Sequence, residues 1–371
     1  MIRVDATLRL GEFDLEVAFE SHKGVLALFG RSGSGKSLTI NMIAGLARPD
    51  RGTITLDGRA LVDTKAGVFV PKHRRRVGLV FQDAQLFPHF TVRQNLMFGR
   101  WFAPRAERAI AFEPVVETLG IGHLLDRRPP RLSGGEKQRV AIGRALLSSP
   151  KILLFDEPLA SLDEERKQEI LPLVEHVRDE FQIPIVYVSH AIEEVARLAA
   201  RVVMMENGRV VAVGPVEDVF GPGRIPAGES RFARSSFITG RIAGVNADYG
   251  LTEIAHPAGT IWLAGQAGTV GGEARVVVRA TDVTLSTTRP RNVSVRTILA
   301  GTVASVKTDD GPLASVDVDL DGHGHLAALA TRMAIDELGL GPGDQVFALI
   351  KTVALDERTV AMVKSKRDGQ S

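Results

Sequence analysis

Cysteine is absent from the 371 residues of this chain. Disulfide bonds, thiol catalysis and zinc sites that use cysteine ligands are therefore excluded. Long apolar runs are also missing, because no stretch approaches the ~20 consecutive apolar residues that a membrane-spanning helix requires. The N-terminal residues, MIRVDATLRL, lack the apolar core of a secretory signal. We therefore expect a protein that stays in the cytoplasm and meets a membrane only through a partner.

An excess of charge of one sign is missing as well. The formal net charge is only +2, so the composition offers no electrostatic footprint for binding nucleic acid. The densest basic run, KHRRR at residues 72–76, precedes a strand-like stretch and is predicted to be a solvated loop. Nucleic acid is accordingly not expected among the partners of this protein.

The length of the chain predicts two or three domains, and apolar runs indicate the class of the first. GVLALF (24–29), KILLFDEP (151–158) and IPIVYVSH (183–190) are typical of buried parallel strands. Between the last two runs, Ser161 and Glu164 have the spacing of a capping box at the start of a helix. This order predicts an α/β domain with a mostly parallel sheet covered by helices.

The composition changes near residues 221–240, where GPGRIPAGES is rich in glycine and proline and predicts a linker. Beyond it the chain predicts short alternating strands, and their pattern recurs. GRIAGV (240–245) resembles GTVASV (301–306), and VVVRATDVTL (276–285) resembles FALIKTVAL (347–355). We interpret this region as an all-β, OB-like domain of two related units. An aromatic content of 5% argues against a platform for stacking bases there.

Residues 30–37, GRSGSGKS, fit the pattern G-x-x-x-x-G-K-S between an apolar strand and a helix pattern. Glycines at this spacing let the backbone curl so that successive N–H groups point at phosphate oxygens. Lys36 would supply positive charge to the terminal phosphates of ATP, and the Ser37 hydroxyl can ligate Mg²⁺. The residues predicted to form this loop are Gly30, Arg31, Ser32, Gly33, Ser34, Gly35, Lys36 and Ser37.

Two acidic residues follow the apolar run ILLF. Asp156 stands at the end of a predicted buried strand, where it would orient Mg²⁺ through the water shell of the ion. Glu157 faces the crevice beyond the carboxyl end of the strand, where α/β proteins bind ligands. A carboxylate there can position and deprotonate a water that attacks the γ-phosphate. The pair therefore predicts Mg²⁺-assisted attack of water on a γ-phosphate.

A second anion-binding turn is predicted at Ser133, Gly134 and Gly135, which open a helix whose free N–H groups can hold an anion. Four motifs, GRSGSGKS, LSGGEKQRVAIGRALL, ILLFDEPLASLD and VSH, occur together in one order. In that order and spacing the chain resembles the ABC-transporter ATPase family over roughly residues 1–236. The fold that this resemblance implies is an α/β P-loop ATPase domain with a helical subdomain.

The resemblance also implies a homodimer in which two copies pack head to tail. The turn at Ser133 of one copy would then close over the ATP that Lys36 of the other copy holds. By the same resemblance, Gln82 reaches Mg²⁺ or the attacking water, His190 contacts the γ-phosphate, and Asp163 crosses the dimer interface. An incomplete site in each monomer would become two complete sites in the dimer.

The chain departs from the family at the adenine-binding position. Many relatives stack adenine on an aromatic residue ahead of the phosphate loop, but neither tyrosine nor tryptophan occurs before Gly30 here. Phe13 and Phe19 are the remaining candidates.

The resemblance is compatible with two classes of ABC ATPase: subunits of membrane importers, and ATPases that act on nucleic acid or the ribosome. The second class typically carries two ATPase halves or a long coiled-coil insertion, and this chain has neither. Residues 30–61, 72–96 and 124–147 resemble the ATP-binding subunits of molybdate importers. The segment 292–355 resembles the oxyanion-binding β domain of the molybdate-binding (Mop) family. An importer of sulfate, ferric iron or sugar is the alternative.

This resemblance implies an ATPase domain over 1–236, a first β unit over 237–290 and a Mop-like unit over 291–364. It implies integral-membrane permease subunits as partners at the cytoplasmic face of a bacterial inner membrane. A periplasmic oxyanion-binding protein would act indirectly, and molybdate or tungstate would bind the tail.

Four residues make up the oxyanion site that is implied in the tail. Ser294 and Arg296 lie two apart, so on a strand their side chains would share one face. Lys351 and Thr352 are adjacent, so the strand must bend there or one residue must contribute its backbone. The alternative is that Arg296 and Lys351 are strand-edge charges that discourage aggregation.

Overall fold

The computed structural model describes residues 1–22, 24–102, 106, 108–220, 235–308, 311–352, 355 and 360–363. The chain divides into two compact units, Met1–Val216 and Glu217–Ser371. Most of the linker predicted at residues 221–240 lies outside the described residues, and its last six residues belong to a strand. No helix in the described part is long and apolar enough to cross a membrane.

Within its described residues, the first unit contains an eleven-stranded sheet in the order β6-β5-β4-β1-β2-β11-β10-β3-β9-β8-β7. The strands are β1 (Ile2–Leu10), β2 (Phe13–Ser21), β3 (Val25–Phe29), β4 (Arg51–Leu56), β5 (Arg59–Asp63), β6 (Val68–Phe69), β7 (Val77–Val80), β8 (Ile152–Asp156), β9 (Ile185–Ser189), β10 (Arg201–Glu206) and β11 (Arg209–Pro215).

The part of this sheet that carries the predicted motifs is parallel. Strands β10, β3, β9, β8 and β7 are neighbours that run parallel to one another. Every residue of β3 and β9 is buried, as is β8 up to its last residue, so the three predicted buried strands are confirmed. Strands β1, β2, β4, β5 and β6 form an antiparallel extension in which β1 and β2 alternate buried and exposed residues.

Helices connect the strands of the first unit, and three of them form a subdomain. They are α1 (Lys36–Ala44), α2 (Val92–Phe102), α3 (Phe112–Thr118), α4 (Gly134–Leu147), α5 (Glu164–Phe181) and α6 (Ile192–Leu198). Helices α2 and α3 meet α4 at Gly143, where an added Cβ would lie 2.7 Å from Leu96 Cδ2 and 2.9 Å from Leu119 Cδ1. Glycine is therefore required at this crossing for the helices to approach so closely.

The start of α5 differs from the prediction. Asp163, and not Ser161, is the N-cap, and its side chain accepts a hydrogen bond of 2.9 Å from the Arg166 N–H. Ser161 lies two residues too early, and its hydroxyl donates instead to the Gln82 carbonyl at 3.3 Å. The helix continues through Pro172 to its end at Phe181.

The prediction for the basic run at residues 72–76 was wrong at Arg75. Lys72 to Arg74 form an exposed 3₁₀ turn, but Arg75 is only 1% exposed. Its guanidinium donates to the carbonyls of Met42 (2.7 Å) and Ile43 (2.9 Å) in the last turn of α1, and to that of Val70 (2.7 Å). Burial lowers the pKa of Arg75 to about 10. A cation at the carbonyl end of a helix is favourable, which explains this placement.

The second unit begins with α7, which starts at the unit boundary (Val216–Val219), and its described residues contain two five-stranded sheets. Their orders are β14-β13-β12-β15-β21 and β16-β20-β17-β18-β19. The elements are β12 (Ser235–Asn246), β13 (Leu251–His256), β14 (Gly259–Ala264), β15 (Glu273–Arg279), β16 (Val283–Ser286), β17 (Thr297–Thr308), β18 (Leu313–Asp319), β19 (His325–Thr331), α8 (Arg332–Leu338), β20 (Gln345–Ile350) and β21 (Val360–Val363).

The predicted internal repeat is confirmed by the two sheets. Strands β12 to β15 occupy the same order as strands β17 to β20. The first strand of each set carries a bulge at the same point of the repeated motif, between Ile242 and Gly244 and between Val303 and Ser305. Helix α8 is inserted only in the second set.

The two repeats exchange a strand with each other. Strand β16 follows β15 along the chain but pairs with β20 of the other sheet, through Val283 and Ile350. Strand β21 returns the exchange by pairing with β15, through Val360 and Val276. One apolar core contains residues of both sheets. The predicted boundary near residue 290 therefore does not separate two independent sets of strands.

Candidate functional site

The predicted phosphate loop lies between β3 and α1. Gly33 and Gly35 have φ angles of +82° and +101°, a conformation that favours glycine. Any Cβ at Gly30 would lie 2.2 Å from the Met205 carbonyl oxygen, so this position also requires glycine. Ser34 is 4% exposed, and its Oγ has no hydrogen-bond partner within the described part of the chain. The loop therefore curls tightly before the first turn of α1.

Lys36 is the first residue of α1 and is nearly buried at the base of the loop. Its Nζ donates to the carbonyls of Gly30 (2.7 Å) and Arg31 (2.9 Å) and lies 3.6 Å from Glu157 Oε1. Burial lowers the pKa of Lys36, and the neighbouring carboxylates of Glu157 and Asp156 oppose this shift. The geometry thus places a cation at the start of a helix, where free N–H groups also favour an anion.

The structure brings Ser37 and Asp156 together. The Ser37 hydroxyl donates to Asp156 Oδ1 at 2.8 Å, although 119 residues separate them along the chain. Strands β3 and β8 both border β9, so the ends of the three strands lie at one edge of the sheet. Burial raises the pKa of Asp156, and the hydrogen bond from Ser37 opposes that shift. A hydroxyl and a carboxylate are oxygen donors of the kind that Mg²⁺ prefers.

Glu157 connects this group to His190. Its Oε1 faces Lys36, and its Oε2 lies 3.2 Å from His190 Nδ1. Glu157 is 20% exposed at its side chain, whereas His190 is 59% exposed. The backbone of Glu157 is left-handed, with a φ of +46°, and its N–H donates to the Val188 carbonyl at 3.2 Å. The carboxylate therefore lies between a buried cation and an exposed imidazole.

A cleft of about 260 Å³ opens beside the loop. Its lining residues are Phe13, Ser32, Gly33, Gly35, Lys36, Ser37, Leu38 and Glu157. Of the two phenylalanines considered for stacking adenine, Phe13 lines this cleft, whereas Phe19 is buried in the core of the sheet. Arg31 is exposed next to the loop.

Gln82 lies two residues beyond the end of β7, which is the neighbour of β8. Its side chain is exposed, and its carbonyl accepts the hydrogen bond from Ser161. The loop that follows β7 is held by Arg144 of α4, whose guanidinium donates to the carbonyls of Gln85 (2.8 Å) and Ala84 (3.1 Å). Gln82 thus stands at the same sheet edge as Asp156.

The structure does not bring the Ser133 turn to the Lys36 cleft within one chain. The described lining of the cleft includes none of Ser133, Gly134, Gly135 and Asp163. Ser133 is the N-cap of α4 in a complete capping box: its Oγ accepts from the Glu136 N–H (3.2 Å), and its N–H donates to Glu136 Oε2 (2.7 Å). Ser133 and Asp163 are both exposed N-caps of separate helices.

The tail residues differ from their predicted setting. Ser294 and Arg296 are exposed in the loop that precedes β17, and do not lie on a strand. Lys351 and Thr352 lie beyond the end of β20, which ends at Ile350. Because Thr297 of β17 pairs with Ile350 of β20, Arg296 and Lys351 continue the register at one end of the strand pair. Thr352 Oγ1 is buried without a hydrogen-bond partner in the described part of the chain.

A buried polar group behind His190 was missed by sequence reasoning. Glu194, in the first turn of α6, is 6% exposed, and its Oε2 accepts hydrogen bonds from Tyr187 (2.9 Å) and Ser189 (2.8 Å). Burial raises the pKa of Glu194, and the two hydrogen bonds oppose the shift. Acidic residues are common in the first turn of a helix, so the sequence offered no signal that this one is buried.

Comparison with known proteins agrees with this geometry. The model of the ABC transporter family matches residues 15–160, and that of the TOBE domain matches residues 293–356. The chain is 51% identical over 355 residues to the Molybdenum import ATP-binding protein ModC of Mesorhizobium japonicum, covering 96% of each chain. It is 48% identical over 360 residues to the protein of the same name from Rhodospirillum rubrum, covering 96% of this chain and 97% of that protein.

A solved structure of cbiO1 from Clostridium perfringens, part of the ABC transporter complex cbiONQ, is also similar. The two superpose with a TM-score of 0.52 at 30% sequence identity, covering 60% of this chain and 91% of cbiO1. The share of this chain that is covered is close to the share that its first unit, Met1–Val216, makes up.

Proposed function

Because the chain belongs to the ABC transporter family, we propose that it hydrolyses ATP to drive the import of molybdate. The observation that carries the ATPase part is the convergence of Lys36, Ser37, Asp156, Glu157 and His190 at one edge of the sheet. The observation that favours molybdate is the near full-length similarity to molybdenum import ATP-binding proteins.

Binding of the nucleotide rests on the loop and its lysine. The N–H groups at the start of α1 and in the glycine turn supply hydrogen bonds to phosphate oxygens. Lys36, which here contacts two backbone carbonyls, supplies charge-assisted hydrogen bonds to the terminal phosphates. Phe13, at the rim of the cleft, offers an apolar face to the adenine.

Ser37 and Asp156 would hold Mg²⁺, with the Gln82 amide oxygen as a third donor. Their fit rests on the hydroxyl and the carboxylate that already meet at 2.8 Å. When bound, Mg²⁺ neutralises charge on the phosphate oxygens. Burial weakens the ionised form of Asp156, which favours a cationic partner at this oxygen.

Glu157 acts as the base that positions and deprotonates the attacking water, and His190 stabilises the γ-phosphate. The carboxylate and the imidazole are 3.2 Å apart, so a water or phosphate oxygen near one also comes within reach of the other. Lys36 Nζ lies 3.6 Å from Oε1 of the same carboxylate, so the lysine can reach a phosphate oxygen that is bound next to Glu157.

The site would be completed by a second copy of the chain. Ser133, Gly134, Gly135 and Asp163 lie outside the described lining of the Lys36 cleft, although Ser133 opens a helix with free N–H groups. We infer that these residues close over the nucleotide of a partner copy. Closure of the dimer would be transmitted to permease subunits, which the chain would meet at the cytoplasmic face of the inner membrane. A periplasmic oxyanion-binding protein would deliver the anion to these subunits.

The tail would bind the transported anion. Arg296 and Lys351 stand at one end of the β17–β20 pair, and the buried Thr352 hydroxyl nearby has no partner in the described part of the chain. With the Ser294 hydroxyl, this set offers two cations and two hydroxyls for a dinegative tetrahedral oxyanion. Tungstate has the same shape and charge as molybdate and would bind in the same way. The alternative function is that of the ATPase of a sulfate, ferric-iron or sugar importer.

The experiment combines ATP hydrolysis by the purified chain with isothermal titration using molybdate, tungstate and sulfate. We expect hydrolysis that depends on Mg²⁺, and affinity for molybdate at least about tenfold above that for sulfate. Arg296→Ala should abolish the binding of molybdate and leave hydrolysis unchanged, with Arg291→Ala, an exposed loop arginine, as the control. Equal affinity for sulfate, or unchanged molybdate binding in Arg296→Ala, would contradict the oxyanion assignment.

A further inference from the structure

Glu194 is a buried carboxylate that the proposed chemistry does not use. It lies beneath the loop that carries His190, which follows the last residue of β9. Both the Tyr187 and the Ser189 hydroxyls donate to the same oxygen, Oε2. A buried carboxylate is costly unless it is hydrogen-bonded, and these two hydroxyls meet that requirement.

Ser189 transmits this contact to the loop. Its Oγ also accepts a hydrogen bond of 2.9 Å from the Ala191 N–H. A hydroxyl has one proton to donate, and Glu194 takes it, so the lone pairs of Ser189 Oγ remain to accept from the backbone. The carboxylate therefore sets the direction in which the hydroxyl bonds the chain.

His190 lies between the two residues that this bond joins. Ser189 is fixed in β9 by its pairing with Phe29, and Ala191 precedes the first turn of α6. The intervening residue directs its imidazole to Glu157, with 3.2 Å between Nδ1 and Oε2. A functional side chain that is 59% exposed cannot be held by packing alone, so its backbone must hold it.

We propose that Glu194 is a positioning residue, which fixes His190 beside Glu157 through the Ser189 hydroxyl and the Ala191 N–H. The proposal rests on the function proposed above for His190. Tyr187 stabilises the same carboxylate from within the core and makes no bond to the loop among the described contacts. The two hydroxyls thus share an acceptor and differ in what they transmit.

The test compares ATP hydrolysis by Ser189→Ala and Tyr187→Phe in the full chain. Each variant removes one hydroxyl from Glu194, but only Ser189→Ala releases the loop. We expect kcat to fall at least about fivefold in Ser189→Ala with KM for ATP changed less than about twofold, because the loop acts after nucleotide has bound. Tyr187→Phe should retain kcat, and Ser189→Thr, which restores a hydroxyl, should recover most of it.

Glu194 itself is tested by two further variants. Glu194→Met removes the acceptor at similar volume and should reproduce the loss of kcat in Ser189→Ala. Glu194→Gln keeps an acceptor oxygen and should retain more activity. If Glu194→Met does not fold, the Ser189→Ala and Ser189→Thr pair decides the matter.

Equal losses in Ser189→Ala and Tyr187→Phe would show a structural carboxylate and overturn the proposal. A wild-type kcat in Ser189→Ala would overturn it as well. His190→Ala separates this result from a failure of the proposed function. If His190→Ala is impaired and Ser189→Ala is not, only the positioning role is wrong, whereas wild-type hydrolysis in His190→Ala refutes the role of His190.

Discussion

At the scale of single residues, Glu157 shows what the site demands of its backbone. A φ of +46° is unfavourable for a residue with a side chain and costs on the order of 1–3 kcal/mol. The N–H of Glu157 remains bonded to Val188, so the conformation is supported by the neighbouring strand. In return, the carboxylate turns from the end of β8 toward Lys36 and His190.

Glu157→Gln should still bind ATP but hydrolyse it at least about 100-fold more slowly. The amide keeps the shape of the side chain but cannot accept a proton from water. Phosphate release and equilibrium binding of a fluorescent ATP analogue measure the two effects separately. Glu169→Gln, an exposed carboxylate on α5, is the control and should hydrolyse at the wild-type rate. Wild-type turnover in Glu157→Gln would refute the assignment.

Part of this site could be predicted from the sequence, and there is a physical reason why the rest could not. Lys36 and Ser37 were predictable because a phosphate loop is a local feature, whose glycines and lysine act at fixed spacing. The contact between Ser37 and Asp156 required only that parallel strands end at one edge. The Ser189–Glu194 contact depends on a turn that returns a helix over its own strand, and no residue spacing reports such a turn.

At the scale of elements, α1 is fixed at both ends. Its first residue is the phosphate-loop lysine, and its last turn is capped by the buried Arg75. The Met42 carbonyl also accepts from the Gly45 N–H at 3.3 Å, whereas Arg75 is the partner of the Ile43 carbonyl among the described contacts. An unpaired carbonyl in the interior costs about 1–3 kcal/mol. A basic run in the sequence gave no indication of this role, because a buried arginine without an acidic partner looks the same as a solvated one.

Arg75→Ala should lower the free energy of unfolding by about 2–4 kcal/mol, since it leaves the Ile43 carbonyl unpaired, removes two further hydrogen bonds and opens a cavity. Arg74→Ala, the exposed preceding residue, should change it by less than about 0.5 kcal/mol. Urea unfolding followed by circular dichroism compares the two variants at equal concentration. Similar stability of both variants would contradict the capping role of Arg75.

At the scale of the whole molecule, the proposed composite site predicts complementation between two inactive chains. A mixture of Ser133→Arg and Lys36→Ala chains should recover up to about a quarter of wild-type hydrolysis, because half of randomly formed dimers are mixed and each holds one intact site. The control replaces Lys36→Ala by a chain with both substitutions, which leaves no intact site in any dimer. An absence of recovery at every mixing ratio would argue against a site shared between copies.

The repeat in the tail was predictable from recurring motifs, whereas the exchange of strands was not. Two similar segments look the same in sequence whether each closes its own sheet or completes the other. The pairing partners of β16 and β21 depend on which sheet edge is still unpaired when the chain reaches it. That is a property of the assembled sheets and not of the local sequence.

This exchange interlocks the halves of the tail, because each half contributes one strand to the sheet of the other. A protease that cut the exposed loop between β16 and β17 would not release a smaller domain, because each fragment would still carry one strand of the other's sheet. The cut tail should remain together under native conditions and separate only in denaturant. By the same reasoning, two halves expressed as separate chains should assemble by fragment complementation. A cut at residue 290 would therefore produce two interdependent fragments and no independently folding domain.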